Sequence, residues 1–241
     1  MNPVHRYLHW LHLQWPAGSV ERLPACDTAG RTAIPGVTIV GDLAGVPLLK
    51  FALDSGATAA RRITAELGDR DVPARAHGEL LDVAIIGGGV AGVSAAIECV
   101  RAGLSCRVVE AARPFATIAS FPAKKPIFTY PTEMTPRATL QVTAGVKEGL
   151  IEELDAQASQ HDIPIVTATA TRVARDGDHI VVTLTDAPAL RARQAIIAIG
   201  RSGNHRHLGV DGENLPHVFH RVIDPAAHAG RRVIIVGGGD S

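Results

Sequence analysis

Short apolar runs alternate with Ala-rich amphipathic stretches along the chain, and this order predicts an α/β fold. The run at residues 83–86 leads through a glycine-rich turn into an Ala-rich stretch at residues 90–101, as expected for a strand, a tight turn and a helix. A second apolar run at residues 106–109 ends at Glu110. Strands and helices that alternate in this way favour a layered, Rossmann-like domain with a parallel sheet.

Other segments extend this picture. Residues 34–63 predict a short strand, an acid at its carboxyl end and a helix with small residues on one face. Residues 144–160 carry an apolar stripe opposite acidic residues, which predicts a packing helix. Polar and apolar positions alternate over residues 163–199 with turn signals between them, which predicts a three-stranded antiparallel meander. Residues 115–134 contain several prolines and are expected to form a structured loop without a helix.

Composition narrows the classes of function. The chain of 241 residues has 24 acidic and 24 basic side chains and no long basic run, so neither nucleic-acid nor membrane-surface binding is expected. The apolar stretch at residues 83–100 is broken by four glycines, which argues against a membrane span. Cys26, Cys99 and Cys106 are too few and too scattered for a disulfide framework, so a cytoplasmic location is expected.

The glycine-rich turn has the form of a dinucleotide-binding motif. Gly87 permits the tight turn, Gly89 lets a pyrophosphate approach the backbone, and Gly92 lets helix and strand pack closely. Unpaired amides and the helix dipole favour an anion there, and Glu110 lies where such folds bind the adenosine ribose. The predicted contacts are Gly87, Gly88, Gly89, Val90, Ala91, Gly92 and Glu110. A glycine-rich turn in an ordinary α/β domain is the alternative.

The segment at residues 32–42 indicates which dinucleotide is expected. Thr32, Pro35 and Gly36 precede a mostly apolar run that ends in Gly41 and Asp42. Together with the glycine motif, this segment resembles the two-dinucleotide-binding-domain flavoprotein oxidoreductases, in their thioredoxin reductase-like branch. The resemblance implies a three-layer Rossmann-like FAD/NAD(P)-binding domain with an inserted antiparallel β-meander, FAD as the cofactor, and NAD(P)H as the electron donor in the intact enzyme.

The same resemblance implies roles for further residues. Asp42 would hold the ribitol chain of FAD, and the amides at Lys50 and Phe51 would lie near the flavin ring, where the lysine charge would tune the flavin potential. The other implied contacts are Gly41 beside Asp42, Tyr130 and Pro131 beside the isoalloxazine ring, Val173 near the adenine, and Ala198 and Gly200 in a variant of the family's Ala-Thr-Gly strand end. An exposed helical lysine is the alternative for Lys50, and a surface loop with a buried tyrosine is the alternative for Tyr130.

The Gly-Asp segment stands before the glycine motif, which reverses the order in the family. We expect a circular permutation, because domain termini that lie close together tolerate it. The expected divisions are residues 1–67 for the Gly-Asp half, 68–81 for a linker, 82–230 for the glycine-motif half, and 231–241 for the start of an NAD(P)H-binding Rossmann domain. The alternative is a tandem arrangement in which the first segment serves a different flavin.

The chain is expected to be the FAD-binding part of an NAD(P)H-dependent flavoprotein oxidoreductase, which passes electrons through the flavin to a redox partner protein or a small-molecule acceptor. A homodimer is compatible with this expectation. A flavin-dependent monooxygenase and a non-catalytic FAD- or nucleotide-binding module are the rival functions. The sequence has no C-x-x-C pair, so no dithiol chemistry is assigned, and no catalytic residue is nominated. His5, His9 and His12 fall at helical spacing, for which a docking helix is preferred to a metal site.

Overall fold

The computed structural model describes residues 23–45, 47–68, 80–201, 208–220, 222 and 224–236. The strands are β1 (Val37–Ile39), β2 (Leu80–Ile86), β3 (Cys106–Glu110), β4 (Ile165–Thr167), β5 (Ala170–Asp176), β6 (His179–Leu184) and β7 (Leu190–Ile197). The helices are α1 (Leu49–Gly68), α2 (Val90–Arg101), α3 (Ala116–Ala119) and α4 (Lys147–Ser159), with 3₁₀ turns at Gly41–Ala44 and Pro225–His228. The predictions for His5, His9 and His12 and for most of the linker lie outside the described residues.

One seven-stranded sheet runs in the order β4-β3-β2-β7-β6-β5, and β1 also pairs with β7. The pairings of β1, β2, β3, β4 and β7 with one another are parallel, whereas β5, β6 and β7 form an antiparallel meander. Along one edge of β7, residues 190–192 pair with β6 and residues 195–197 pair with β1. The predicted meander is confirmed, but residues 165–167 within its predicted range form a separate strand parallel to β3.

The sheet is covered on both faces. Alternate residues of β2 point to opposite sides, as strand geometry requires: Val83 and Ile85 join a cluster with α1 and α2, whereas Ala84 and Ile86 join a cluster with the meander. The helix-facing cluster is rich in alanine, which lets the helices lie close to the strands. The layers of helices, parallel sheet and meander confirm the predicted Rossmann-like α/β fold.

Two local expectations need correction or adjustment. The expectation that residues 115–134 contain no helix is wrong, because α3 forms one helical turn there. The prolines of this segment begin only at Pro122, after α3 has ended, so the rule that excludes proline from helix interiors does not apply. The helix expected over residues 144–160 is confirmed as α4, although it begins at Lys147.

Residues 231–236, which were predicted to begin a second Rossmann unit, pair with no described strand. Ile234 is 91% exposed and Ile235 is 78% exposed. A single strand leaves its backbone groups without ladder partners, so it forms only beside neighbouring strands. The second Rossmann unit stays a prediction. None of the helices in the described part of the chain is both long and apolar enough to cross a membrane.

Candidate functional site

Three parallel strands end together at one edge of the sheet. Ile86 of β2 is level with Ile197 of β7, and Ile197 is level with Ile39 of β1. The residues that follow these strands are Gly87 to Gly89, Ala198 to Gly200, and Gly41 with Asp42. In open α/β sheets, ligands bind in the crevice outside the carboxyl ends of the strands. The fold therefore brings both predicted half-sites to the edge where a dinucleotide is expected.

The glycines of the motif have different reasons to be glycine. Gly87 has a φ of 103°, and a side chain there would approach the carbonyl oxygen of Ala198 to 2.5 Å. A Cβ atom at Gly92 would overlap the carbonyl oxygen of Gly87. In contrast, a Cβ atom at Gly89 would meet no atom of the described residues within 4 Å. Packing within the protein therefore requires glycine at Gly87 and Gly92. Gly89 instead borders open space among the described residues at the start of α2, as a site for a pyrophosphate requires.

Glu110 is held in place at the end of β3. The Gly88 amide donates a hydrogen bond to Oε2 at 2.6 Å, and the Ala112 amide donates to Oε1 at 2.9 Å. The Ala168 amide, just after β4, donates to the Glu110 carbonyl oxygen at 3.0 Å. Ala112 and Ala168 were missed from the sequence, because both act through backbone amides. The carboxylate is thus fixed beside the glycine turn and can accept further hydrogen bonds.

Asp42 carries an unpaired buried oxygen. The residue lies in the 3₁₀ turn that follows β1, and its Oδ1 atom has no hydrogen-bond partner among the described residues. The preceding Gly41 amide donates to Ser55 Oγ at 2.9 Å, which fixes the turn against α1. A buried acceptor without a donor is costly unless a ligand or water supplies one. This oxygen fits a ligand hydroxyl, such as one on a ribitol chain.

The two half-sites touch at Ala91, in the first turn of α2. A Cβ atom on Gly41 would lie 3.1 Å from the Ala91 Cβ, and one on Gly56 of α1 would overlap the Ala91 carbonyl oxygen. Farther along the crossing, Ser94 Oγ donates to the Leu53 carbonyl oxygen at 2.9 Å. The small-residue face predicted for the first helix therefore permits close contact between α1 and α2.

The buried carboxylate of Glu98 links α2 to α1 on the side of their contact away from Ala91. Glu98 of α2 is 8% exposed and accepts hydrogen bonds from Arg61 Nη2 of α1 at 2.9 Å and from Thr139 Oγ1 at 2.8 Å. The Thr139 amide donates to the same oxygen at 3.0 Å. Burial raises the pKa of Glu98, but the hydrogen bonds from Arg61 and Thr139 outweigh it and hold the pKa below the ordinary value. Glu98 was not identified from the sequence, where it is one acid in an Ala-rich helix.

Lys50 is buried, so the alternative of an exposed helical lysine is wrong. The residue is 6% exposed, and its Nζ atom donates to the carbonyl oxygens of Pro131 at 2.8 Å and Thr132 at 3.3 Å. Tyr130 is 56% exposed, so the alternative of a buried tyrosine is also wrong. Its ring stacks on Phe128, with centroids 6.0 Å apart. The hydrogen bonds of Lys50 thus join the start of α1 to a loop that carries exposed aromatic side chains. Phe51, the next residue of α1, is also exposed.

The remaining predicted residues lie at different distances from this edge. Ala198 is buried under the glycine turn, and its amide donates to the Ile86 carbonyl oxygen at 2.7 Å. Gly200 has a φ of 62° and ends this strand extension, after an exposed Ile199. Val173 lies opposite Val182 in the meander and packs against the apolar cluster on that face. Its contact with an adenine stays a prediction.

Two further features lie outside the strand-end edge. Cys99 and Cys106 are buried neighbours although both are free thiols, and the hydrogen bond with Cys106, together with burial, raises the pKa of Cys99. A cavity of about 130 Å³ lies near the start of β1, among Thr32, Pro35, Gly36, Arg62 and Glu66. Among the described residues, no three His, Cys, Asp or Glu side chains are grouped to hold a metal ion.

Comparison with known proteins places this geometry in a family. The chain is 33% identical over 163 residues to a ferredoxin–NADP reductase of Ignicoccus hospitalis, which covers 66% of this chain and 50% of the relative. It is 26% identical over 161 residues to the bacilliredoxin reductase Bdr of Bacillus subtilis, which covers 65% of this chain and 50% of the relative. The chain thus spans about half the length of the curated relatives that it matches.

A solved structure supports the fold. The bacillithiol disulfide reductase Bdr of Staphylococcus aureus superposes with a TM-score of 0.52 at 24% identity, over 61% of this chain and 46% of the other. The family model described as pyridine nucleotide-disulphide oxidoreductase matches residues 84–241, which include the glycine turn, Glu110 and the meander. These matches agree with the thioredoxin reductase-like resemblance expected from the motifs. The chain belongs to the pyridine nucleotide-disulphide oxidoreductase family.

Proposed function

We propose that this chain is the FAD-binding part of an NAD(P)H-dependent flavoprotein oxidoreductase, which passes electrons from NAD(P)H through the flavin to an acceptor. The observation that carries the proposal is the buried, unpaired Oδ1 of Asp42. It lies at the same strand-end edge as Gly89, where the glycine turn leaves space that no described residue fills. A flavin dinucleotide would supply both missing partners: a ribitol hydroxyl would donate to the Asp42 carboxylate, and the pyrophosphate would occupy the anion site at the glycine turn.

The residues have distinct roles in this proposal. The amides at Gly89, Val90, Ala91 and Gly92 bind the pyrophosphate, with the positive end of the α2 dipole behind them. Gly87 and Gly88 form the turn, and their own amides donate to the Val109 carbonyl oxygen and to Glu110 Oε2. Glu110, fixed by Gly88 and Ala112, accepts hydrogen bonds from the adenosine ribose. Gly41 and Asp42 hold the ribitol, Ala198 and Gly200 support the turn, and Val173 contacts the adenine. Lys50, Phe51, Tyr130 and Pro131 surround the isoalloxazine ring.

FAD, when bound, supplies the hydride-accepting chemistry of the reaction. The residues of this chain bind it, orient it and exclude water from it, so none is given the role of acid, base or nucleophile. The acceptor is a redox partner protein or a small molecule, and the intact enzyme includes a nicotinamide-binding domain. A homodimer and a cytoplasmic location are part of the proposal, the latter supported by three free cysteines.

We also propose that both half-sites serve one flavin in a permuted domain. The support is the parallel pairing of β1 with β7, the tight crossing of α1 and α2 at Gly56, and the convergence of both motifs at Ala91. In a tandem arrangement, the Gly-Asp segment would have no reason to complete this sheet. The proposed divisions remain residues 1–67 and 82–230, joined by residues 68–81, with residues 231–241 beginning a nicotinamide-binding domain.

The proposal is tested by reconstitution with FAD. The purified chain is incubated with FAD, desalted, and examined for flavin absorbance near about 375 and about 450 nm. We expect the wild type to retain flavin and both Asp42→Ala and Gly89→Val to lose it, the first by removing the ribitol acceptor and the second by filling the cradle. Gly145→Val is the matched control for Gly89→Val, because a Cβ atom at Gly145 also meets no described atom within 4 Å but lies outside the site.

Thermal unfolding of each variant without FAD accompanies the absorbance measurement, so that loss of flavin is separated from loss of fold. Retention of flavin by the folded Asp42→Ala and Gly89→Val variants would contradict the assignment of these residues. A folded wild type that retains no flavin would contradict the proposed function itself.

A further inference from the structure

We infer that Lys50 is a positioning residue, whose ammonium group holds residues 130–132 against the start of α1 and thereby sets the width of the flavin-ring half of the site. The inference rests on the proposed function. It adds a structural role to the direct tuning of the flavin expected from the sequence, because two protein carbonyls accept hydrogen bonds from the lysine head group.

The location of Lys50 is unfavourable for the helix that carries it. It lies in the first turn of α1, where the positive end of the helix dipole repels a cation. It is also buried, and a buried ammonium destabilises the fold unless hydrogen bonds compensate it. No ion pair within the described part of the chain involves Lys50. The compensation seen in the structure comes from Pro131 and Thr132, so the lysine is explained by its contact with the loop.

The contacted carbonyls belong to the part of the loop that presents the aromatic side chains. The Pro131 carbonyl oxygen accepts from Lys50 and also from the Met134 amide, at 3.2 Å. The ring of Tyr130, directly before this carbonyl, is stacked on Phe128, which is 72% exposed. Paired rings that stay open to solvent offer a flat apolar surface to a planar ligand. Lys50 therefore connects the two walls between which a flavin ring would lie.

This arrangement predicts that Lys50 affects one half of the dinucleotide and not the other. The ADP half of FAD would contact Gly87 to Gly92 and Glu110, which are fixed by hydrogen bonds and packing that do not include Lys50. The flavin half depends on the loop that Lys50 holds. A residue that only stabilised the fold would change the affinities for FAD and ADP together.

The test compares Lys50→Met, which keeps the length of the side chain and removes its donors, with Lys50→Arg, which keeps the charge and the donors. Binding of FAD and of ADP is measured by titration, and amide hydrogen exchange is followed over residues 128–134 without ligand. We expect Lys50→Met to weaken FAD binding by about tenfold or more, as for loss of charged hydrogen bonds. We expect ADP affinity to stay within about twofold, loop exchange to accelerate, and Lys50→Arg to recover most of the FAD affinity.

Parallel losses of FAD and ADP affinity, or unchanged exchange in the loop, would overturn the inference. Failure of the wild type to bind FAD would instead contradict the proposed function, and the exchange measurement would still decide whether Lys50 holds the loop. If Lys50→Met does not fold, Lys50→Gln takes its place, because its shorter side chain keeps a polar end but cannot span to Pro131. Faster loop exchange in that variant supports the inference, and unchanged exchange overturns it.

Discussion

Gly89 and Gly92 belong to the same motif, but packing within the protein constrains only Gly92 of these two. A Cβ atom on Gly92 would overlap the Gly87 carbonyl oxygen, whereas one on Gly89 would meet no described atom within 4 Å. We expect Gly92→Ala to lower the free energy of unfolding by about 1–3 kcal/mol, as overpacking does. We expect Gly89→Ala to change it by less than about 1 kcal/mol, since its φ of −74° suits any residue. Urea unfolding without FAD measures both, and equal losses would contradict this distinction.

Single residues also mark the limit of what the sequence could predict. The glycines, Glu110 and Asp42 follow strands at fixed offsets, so local pattern was enough to identify them. Lys50 and Glu98 were not understood from pattern, because the partners that bury them come from a loop distant in the chain. A charged residue in an apolar stretch has the same sequence signal whether it is exposed or paired. Only the tertiary contact distinguishes the two.

At the scale of elements, α1 and α2 are joined by tight packing at one end of their crossing and by a charged pair at the other. The Gly56–Ala91 contact lies near the candidate site, and the Arg61–Glu98 pair lies farther along both helices. The small face of α1 was predicted from the sequence, and it is used for this contact. The pairing of Arg61 with Glu98 was not predicted, because helical periodicity within each segment does not reveal which helices become neighbours.

The lowered pKa of Glu98 predicts a pH-dependent contribution to stability. Because its folded pKa lies below the unfolded value, the contribution is present above the unfolded pKa and is lost as the pH falls through the folded pKa. We expect Glu98→Gln to reduce the free energy of unfolding at about pH 7 by about 1–3 kcal/mol, and we expect the difference from wild type to shrink below about pH 4.

Urea unfolding at a series of pH values measures the effect of Glu98→Gln. Exposed Glu152 of α4 provides the matched control, since Glu152→Gln makes the same chemical change on the surface. A difference between Glu98→Gln and wild type that stays constant down to acidic pH would contradict the assignment to ionisation of Glu98.

For the whole molecule, the permuted arrangement predicts that FAD protects both halves together. A ligand at about 100 times its Kd stabilises the state that binds it by about 2.7 kcal/mol. If one flavin contacts both half-sites, amides of α1 and of α2 should gain protection from hydrogen exchange in parallel when FAD is added. Protection confined to α2 and the glycine turn would favour the tandem arrangement.

The overall architecture was largely predictable from the sequence, but the place of β1 in the sheet was not. The alternation of strands and helices predicted the parallel sheet, and polar-apolar alternation predicted the meander. The sharing of one edge of β7 between β6 and β1 was not predicted, because it depends on where β6 ends its pairing and leaves residues 195–197 open. The strand expected at residues 231–236 did not form beside any described strand. An apolar run shows only that a segment favours the extended conformation, whereas a strand also needs a neighbouring strand to pair with.

The pairing of β1 with β7 has a consequence for biosynthesis. β1 is at residues 37–39 and its partner is at residues 195–197, so a ribosome makes the two strands roughly 8 to 32 seconds apart at about 5–20 residues per second. During that interval the apolar residues of β1 lack the strand beside which they pair. We therefore expect β1 to remain unpaired in the nascent chain until β7 has been made.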